Sequence, residues 1–340
     1  MFQMSNHFLK SINSRRIFLC VLSSVLLSSC RDHQERVVTK FPQQVSLEAN
    51  SIDGTDKYQD ILSVTMVADK YVCRSKGEFF YYVFDSQFQL ISRIARRGHG
   101  NKEFIAPFFS GQYLQEKGRE YIYLLERPQR TLYKVNIHDA MDVVPVFRFP
   151  IGKKIEPRYI FSVANKFVGA NDLDDCKIFV YDRQCGECIF KEQIYTSEKR
   201  KSHELFESIA SYSPSNEKLA VAFFNLPQID IRNSNGDILN TIFIDKKSPL
   251  KEDMSDKLYF SCVCSTDKYI YALYNGYDDL EKQGKSAVLV FDWNANPIVK
   301  YIIDASSYMT VDIKKKRLVT IGEKASNSRL LSYPISNENL

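Results

Sequence analysis

One short phrase recurs along this chain at a near-constant interval. An apolar strand ends in Asp or Asn, a turn follows, and another apolar strand begins. An Asx side chain in this position can accept a hydrogen bond from the backbone two residues on, which starts a hairpin turn. The five Asx residues, 46 to 59 positions apart, are Asp85, Asn136, Asp182, Asn233 and Asp292. A repeat near 50 residues that is built from short β segments is typical of the four-stranded blades of a β-propeller.

A second ladder has the same period. In each repeat an aliphatic strand stops at a polar residue, and a near-continuous apolar strand is expected where neighbouring blades cover both of its faces. The six stops, 45 to 54 positions apart, are Ser75, Glu126, Asn171, Asn225, Asn275 and Glu323. The two ladders together predict an all-β, six-bladed propeller of four-stranded antiparallel blades over residues 36–340.

The sixth repeat is one strand short, because mostly polar residues follow Arg329–Tyr333. The β-prone run Arg36–Leu47 precedes the first blade and has no repeat of its own. We expect this N-terminal run to supply the missing outer strand, so that the ring closes and no long strand edge stays open.

Residues 1–29 have the pattern of a signal peptide. Lys10, Arg15 and Arg16 precede an apolar run of eleven residues, Ile17–Leu27, which is too short for a transmembrane helix. Without these three cations, the formal net charge of +5 becomes smaller. The remaining Lys and Arg residues are spread along the chain rather than gathered in a basic stripe, so we expect no nucleic-acid partner.

The signal ends in Leu27-Ser-Ser-Cys30, which resembles the lipobox of bacterial lipoproteins. The resemblance implies cleavage before Cys30, a lipid on its thiol, and a tether over residues 30–35 that holds the propeller at a membrane. Arg31 stands where an Asp retains some lipoproteins at the inner membrane, which favours the outer membrane. Orientation toward the periplasm or the cell surface stays open, and an ordinary secretory signal with a chance cysteine is the alternative.

Cys185-Gly-Glu-Cys188 is the one CxxC among the eight cysteines. It falls where a hairpin turn is expected, and no second CxxC or nearby His supplies further zinc ligands. An incidental role, a local disulfide, and a metal or redox function all remain open for this pair.

The segment Gly98-His-Gly100-Asn-Lys-Glu103-Phe104, followed by Pro107, resembles the linker between blades of NHL-type propellers. With the lipobox and the repeat, the chain resembles the TolB-like six-bladed propeller lipoproteins of Gram-negative bacteria. The resemblance implies a fold and an envelope location rather than an activity. A dinucleotide-binding loop needs a helix directly after the glycines, and the sequence after Gly100 does not predict one.

The second-strand stops and the crossovers between blades are expected on one face of a propeller, around its channel. Amides, carboxylates and cations there suit a protein, peptide or glycan ligand. The alternative is that these residues only end strands and solvate turns. The predicted ligand-binding residues of this face are Arg97, His99, Glu126, Arg127, Asn171, Asp172, Asn225, Asn275, Tyr277 and Glu323.

We expect a binding protein without a cofactor. A serine hydrolase is not expected, because the chain lacks the G-x-S-x-G elbow of that class. The alternative is a metal-dependent hydrolase or lactonase in which Glu126, Asn171 and Asn225 hold calcium or another divalent cation in the channel.

Overall fold

Antiparallel strands form six sheets that are arranged as blades around a central channel. The computed structural model describes residues 33–52, 61–150, 156–171, 178–191, 207–245, 257–322 and 329–336. The chain divides into two compact units, residues 1–34 and 35–340, and the second contains the blades. The predicted all-β six-bladed fold is confirmed.

The first three blades each have four strands, which run in chain order from the channel outward. Blade I contains β4 (Ile61–Val67), β5 (Lys70–Ser75), β6 (Phe79–Phe84) and β7 (Leu90–Arg96). Blade II contains β8 (Pro107–Glu116), β9 (Arg119–Glu126), β10 (Thr131–Asn136) and β11 (Val143–Arg148). Blade III contains β12 (Pro157–Val163), β13 (Lys166–Asn171), β14 (Ile178–Asp182) and β15 (Cys188–Lys191).

The last three blades take their remaining strands from the N-terminal segment. Blade IV contains β16 (Ser208–Ser213), β17 (Lys218–Phe223), β18 (Gln228–Asn233) and β19 (Ile238–Ile244). Blade V contains β20 (Phe260–Ser265), β21 (Tyr269–Tyr274), β22 (Lys285–Asp292) and β23 (Pro297–Asp304). Blade VI contains β24 (Ser306–Asp312), β25 (Arg317–Gly322) and β26 (Arg329–Pro334). The lower face carries the turns after each first and third strand, and the upper face carries the crossovers between blades.

An N-terminal strand closes the ring, as predicted, but the predicted position was wrong. The closing strand is β3 (Asn50–Ser51), and its Ser51 pairs with Leu331 of β26. The run Arg36–Leu47 instead adds fifth strands to two other blades: β1 (Gln34–Val38) lies beside β19, and β2 (Gln43–Ser46) pairs in parallel with β23. The chain passes the outer edges of blades IV, V and VI in turn. Within this N-terminal segment, only the residues of β3, which directly precede blade I in the sequence, therefore reach the sixth blade.

The predicted Asx turns are confirmed in all five repeats. The side-chain oxygen of each Asx accepts a hydrogen bond from the backbone N–H two residues on, at 2.8 or 2.9 Å. The second strands are buried on both faces, as β17 illustrates, since all its residues after Lys218 are buried. Local hairpin chemistry and two-sided burial thus explain the two sequence ladders.

The glycine motif of the first crossover is a turn held by a carboxylate. Glu103 Oε2 accepts a hydrogen bond from the Gly100 N–H at 2.8 Å. Gly98 has φ 154°, and a Cβ there would lie 1.9 Å from the same oxygen. The side chain of Glu103 therefore occupies the space that any residue other than glycine would need at position 98.

Helix is nearly absent from the described residues. The short helix α1 (Asp278–Glu281) lies between β21 and β22 of blade V. No helix within the described ranges has the length and apolar character of a membrane span. Cys185 and Cys188 lie in the predicted hairpin region, where Cys185 is exposed and Cys188 is half-buried.

Blades VI and I meet through a cluster of aromatic and charged side chains at the lower face. Tyr71 of β5 is buried, and its hydroxyl donates to the buried carboxylate of Asp312. Arg317 donates to the same hydroxyl at 2.7 Å and to the Ser86 carbonyl at 3.0 Å. The rings of Tyr71 and Phe88 stack with centroids 4.2 Å apart. This cluster joins the first blade of the chain to the last.

The cluster forms the seam between blades VI and I, and removing the Tyr71 hydroxyl tests its contribution to stability. We expect Tyr71→Phe to lower the free energy of unfolding by about 1–3 kcal/mol, because a buried carboxylate loses a donor. The matched control is Tyr269→Phe, whose hydroxyl makes no hydrogen bond with a described residue, and we expect a change within about 0.5 kcal/mol. Urea titration measures both, and equal losses in the two variants would contradict the role of the seam.

Candidate functional site

The polar residues that end the second strands bind the segment that enters the same blade. Glu126 is buried, and its carboxylate accepts hydrogen bonds from the backbone N–H groups of Ile105 at 3.2 Å and Ala106 at 3.0 Å. In blade III, Asn171 accepts from the Glu156 N–H at 2.7 Å. Burial raises the pKa of Glu126, and the two amide donors oppose that shift. These two predicted upper-face residues therefore connect the crossovers between blades to the ends of the second strands.

Arg97 has the same kind of role in blade I. Its guanidinium donates to the carbonyl oxygens of Ser75 at 2.9 Å and Gly77 at 2.6 Å. It also lies 3.6 Å from the centroid of the Phe80 ring. The Ser75 hydroxyl accepts a hydrogen bond from the Gly77 N–H at 2.9 Å. Arg97 and the predicted strand end Ser75 therefore meet at one turn.

In blade V, Asn275 donates to Ser261 at 3.2 Å and accepts from Ser286 at 2.8 Å. Tyr277 directly precedes α1, and the Lys300 ammonium lies 4.3 Å from the centroid of its ring. These two predicted residues therefore have partners within their own blade.

The remaining predicted residues differ in exposure. His99 and Arg127 are exposed on the upper face, and Asn225 is half-buried. Asp172, Glu323 and the lipidation residue Cys30 lie outside the described residues. Ligand binding by the upper-face ring stays a prediction.

The predicted metal ligands include one carboxylate, and it already has donors. Both oxygens of Glu126 accept amide hydrogens, so a cation bound there would compete with them. Within the described part of the chain, no three His, Cys, Asp or Glu side chains are grouped closely enough to hold a metal ion. The metal site also stays a prediction.

The channel contains a cavity of about 620 Å³ that lies toward the lower face. All six inner strands contribute to its wall, together with lower-face turn residues such as Ala68, Pro214 and Lys314. Its volume lies in the range of roughly 300–1,000 Å³ that is usual for small-molecule sites. This cavity thus lies away from the upper-face ring that the sequence predicts.

The inner strands present their edges to this cavity. Consecutive residues line it, as in Val64–Ala68, Phe109–Tyr113 and Tyr308–Lys314. A strand that presented one face would contribute alternate residues. Each inner strand is also the terminal strand of its sheet. Backbone N–H and C=O groups of six unpaired edges therefore point toward the channel or toward neighbouring inner strands.

Side chains link some neighbouring inner strands across these edges. Gln112 of blade II accepts from the Ser162 N–H and donates to the Ser162 carbonyl, both at 2.7 Å. The hydroxyls of Ser211 and Ser265 lie 2.8 Å apart between blades IV and V. Thr310 of blade VI accepts from the Met66 N–H of blade I at 2.9 Å. Polar side chains here take the place of a backbone ladder.

Tyr308 forms the deep end of the cavity. Burial raises the pKa of its hydroxyl well above the ordinary value, and Cys262, Tyr159 and Tyr81 raise it further. These neighbours belong to blades V, III and I, so the side chain from blade VI reaches across the channel. Its hydroxyl makes no hydrogen bond with another described residue. The side chain lines the cavity, so the hydroxyl is accessible from it.

Beside the cavity mouth, Glu120 organises a polar cluster between blades I and II. Its carboxylate accepts from Tyr113 at 2.8 Å and pairs with Lys70 at 3.0 Å and His138 at 2.6 Å. Burial alone would raise the pKa of Glu120, but His138, Tyr113 and Lys70 outweigh burial and lower it to about 2. Tyr113 also lines the cavity, so this cluster fixes part of its wall.

Sequence reasoning missed the cavity because strand edges leave no trace in side-chain pattern. One signal was available: every inner strand except that of blade III places a Ser or Thr on the cavity wall. These residues are Thr65, Ser110, Ser211, Ser265 and Thr310.

Comparison with known proteins agrees with this architecture. Residues 65–314 match the family described as TolB-like 6-blade propeller-like, which is more than half of the chain. The chain belongs to the TolB-like six-bladed propeller family. A sequence comparison of this TolB-like propeller with curated proteins finds no match.

Two solved structures share the fold of the TolB-like propeller. One, from Bacteroides fragilis, is described as an exported protein. It has 13% identity and a TM-score of 0.53, with 90% of this chain and 99% of that chain covered. The other, from Bacteroides vulgatus, is a member of the DUF4221 family. It has 14% identity and a TM-score of 0.52, with 85% and 97% covered. At these identities the similarity supports the fold alone.

The Glu120 cluster predicts a pH dependence of the TolB-like propeller. The pKa of Glu120 is about 2 in the folded protein, which is below the value near 4.3 for Glu in an unfolded chain. The ionised carboxylate therefore stabilises the folded state above pH 4.3, and this contribution disappears as the pH falls toward 2. We therefore expect Glu120→Gln to be less stable than wild type at pH 6, with the difference narrowing between pH 5 and 3. Urea unfolding at these pH values measures it, with the exposed Glu78→Gln as control. A constant difference across the range would contradict the assignment.

Proposed function

We propose that this chain is a lipid-anchored protein of the cell envelope that binds a ligand in its channel cavity without catalysing a reaction. One observation carries the proposal: the cavity of about 620 Å³ is walled by the unpaired edges of six inner strands. Backbone groups at such edges need hydrogen-bond partners, which water or a ligand supplies.

The ionisable side chains that line the cavity favour binding over catalysis. General acid–base catalysis needs a group with a pKa near the working pH. The described residues that line the cavity include no His or Glu. Burial raises the pKa of the Cys262 thiol to about 12 and that of the Cys264 thiol well above its ordinary value, so neither is a ready thiolate nucleophile.

The envelope location is supported by the signal-like residues 1–29 and by the lipobox ending in Cys30. The similarity to a Bacteroides protein described as exported agrees with it. We propose the outer membrane, with the orientation of the propeller left to experiment. A protein, peptide or glycan at the upper-face ring, and a divalent cation bound near Glu126, are the alternatives.

Lipid anchoring is tested by Cys30→Ala. We expect wild-type protein to incorporate labelled fatty acid and to sediment with membranes, because each buried CH₂ of the acyl chain contributes about 0.8 kcal/mol. The variant should lose the label and leave the membrane fraction. Cys20→Ala, within the apolar signal run, is the matched control and should keep both properties. A labelled Cys30→Ala protein would contradict the anchor.

Ligand binding in the cavity is tested by filling it. Thr65 lines the cavity and makes no hydrogen bond through its side chain among the described residues, so Thr65→Trp mainly removes volume. A thermal-shift scan uses neutral and acidic saccharides, peptides and divalent cations. We expect at least one organic probe to raise the Tm of wild type and of Tyr269→Phe, which lies outside the cavity, but not of a folded Thr65→Trp variant.

Three outcomes would overturn this proposal. The first is the absence of any shift, and the second is a shift that Thr65→Trp leaves unchanged. The third is one tightly held metal ion per chain that survives dialysis and is lost in Glu126→Ala, which would favour the metal-dependent enzyme.

A further inference from the structure

We infer that the ligand of the channel cavity is an uncharged saccharide that is held by hydroxyl and backbone groups and by aromatic rings. The inference rests on the proposed function and names the chemical class that the wall selects. Three properties of the wall lead to it: its free hydrogen-bonding groups, its lack of charge at depth, and its rings.

The free polar groups of the wall both donate and accept. Tyr308, Tyr212 and Thr65 line the cavity, and none of their hydroxyls has a hydrogen-bond partner among the described residues. Open strand edges add backbone N–H donors and C=O acceptors. A matching ligand must present donors and acceptors in several directions, which the hydroxyl groups of a sugar do.

Among the described residues that line the cavity, charged side chains lie only toward its mouth at the lower face. The lining side chains with a charge are Asp267, Asp312 and Lys314. Asp267 and Lys314 are exposed, and Asp312 is bonded to Tyr71 in the seam between blades I and VI. A charged ligand that reached Tyr308 would lose its hydration without a counter-charge, which is costly. The deep part of the cavity therefore selects an uncharged molecule.

Aromatic rings supply the apolar part of the contact. Phe161 and Tyr212 lie with ring centroids 5.7 Å apart and an interplanar angle of 34°, on the adjacent blades III and IV. Tyr159 and Tyr308 lie deeper in the same wall. The C–H faces of a pyranose pack on such rings while its hydroxyls reach polar groups, so both kinds of wall surface are used at once.

A wholly apolar ligand fits this wall poorly. An acyl chain would exclude water from the hydroxyls of Tyr308, Tyr212 and Thr65 and give them no partner. Each polar group that is desolvated in this way weakens binding. The same holds for the backbone groups of the open edges, so a saccharide is favoured over a lipid tail.

The test uses the purified full-length protein and an array of neutral and uronic-acid oligosaccharides, followed by calorimetry with the best neutral one. We expect neutral sugars to bind, and acidic sugars of the same length to bind at least about tenfold more weakly. Tyr308→Phe and Thr65→Val should each weaken binding by about fivefold or more, because a sugar hydroxyl loses its partner. Tyr269→Phe, outside the cavity, should bind as wild type does.

The outcomes separate this inference from the proposed function. Acidic oligosaccharides that bind as tightly as neutral ones would overturn it. So would an array without a bound neutral sugar, or affinities that Tyr308→Phe and Thr65→Val leave unchanged. If the sugars fail while another organic probe still shifts the Tm in a manner lost in Thr65→Trp, the binding function stands and only the saccharide class is wrong.

Discussion

Six strand edges converge on the channel without pairing to one another, and much of this molecule is arranged to satisfy them. A buried backbone N–H or C=O without a partner costs free energy comparable to a lost hydrogen bond. Neighbouring blades meet part of this need with Gln112, Ser110 and Thr310, whose side chains form hydrogen bonds with backbone groups of the next blade. The lower channel keeps a cavity in which water or a ligand completes the rest. The requirement for polar side chains on the wall and the proposed binding of a ligand thus have one origin.

The outer edges are managed differently in the two halves of the ring. The N-terminal strands cover blades IV, V and VI. Among blades I to III, β11 carries Pro145 beside a register shift, β7 carries Arg93 and Arg96, and β15 has four residues. Proline, charge, irregular pairing and short length all discourage edge-to-edge association. The open half of the ring is therefore protected by its own sequence.

The parts of the fold that the sequence predicted are those that rest on local chemistry. Asn233 starts its turn through neighbouring backbone groups, and β17 is apolar because two blades cover it. The position of the closing strand was not predictable, because β3 has two residues and its partner lies at the far end of the chain. The cavity was missed for a different reason. Strand edges are backbone, and Tyr308 acquires its place only when blades I, III and V surround it.

The path of the N-terminal segment also fixes an order of events. Strands β1, β2 and β3 leave the ribosome first, yet β19, β23 and β26 beside them are made much later. Pairings between distant residues form slowly, because the intervening chain must be ordered before they contribute stability. Strand β1 can therefore pair only after blade IV has been made, β2 only after blade V, and β3 only after blade VI. The ring stays open until β3 reaches β26, so its closure follows the synthesis of every blade.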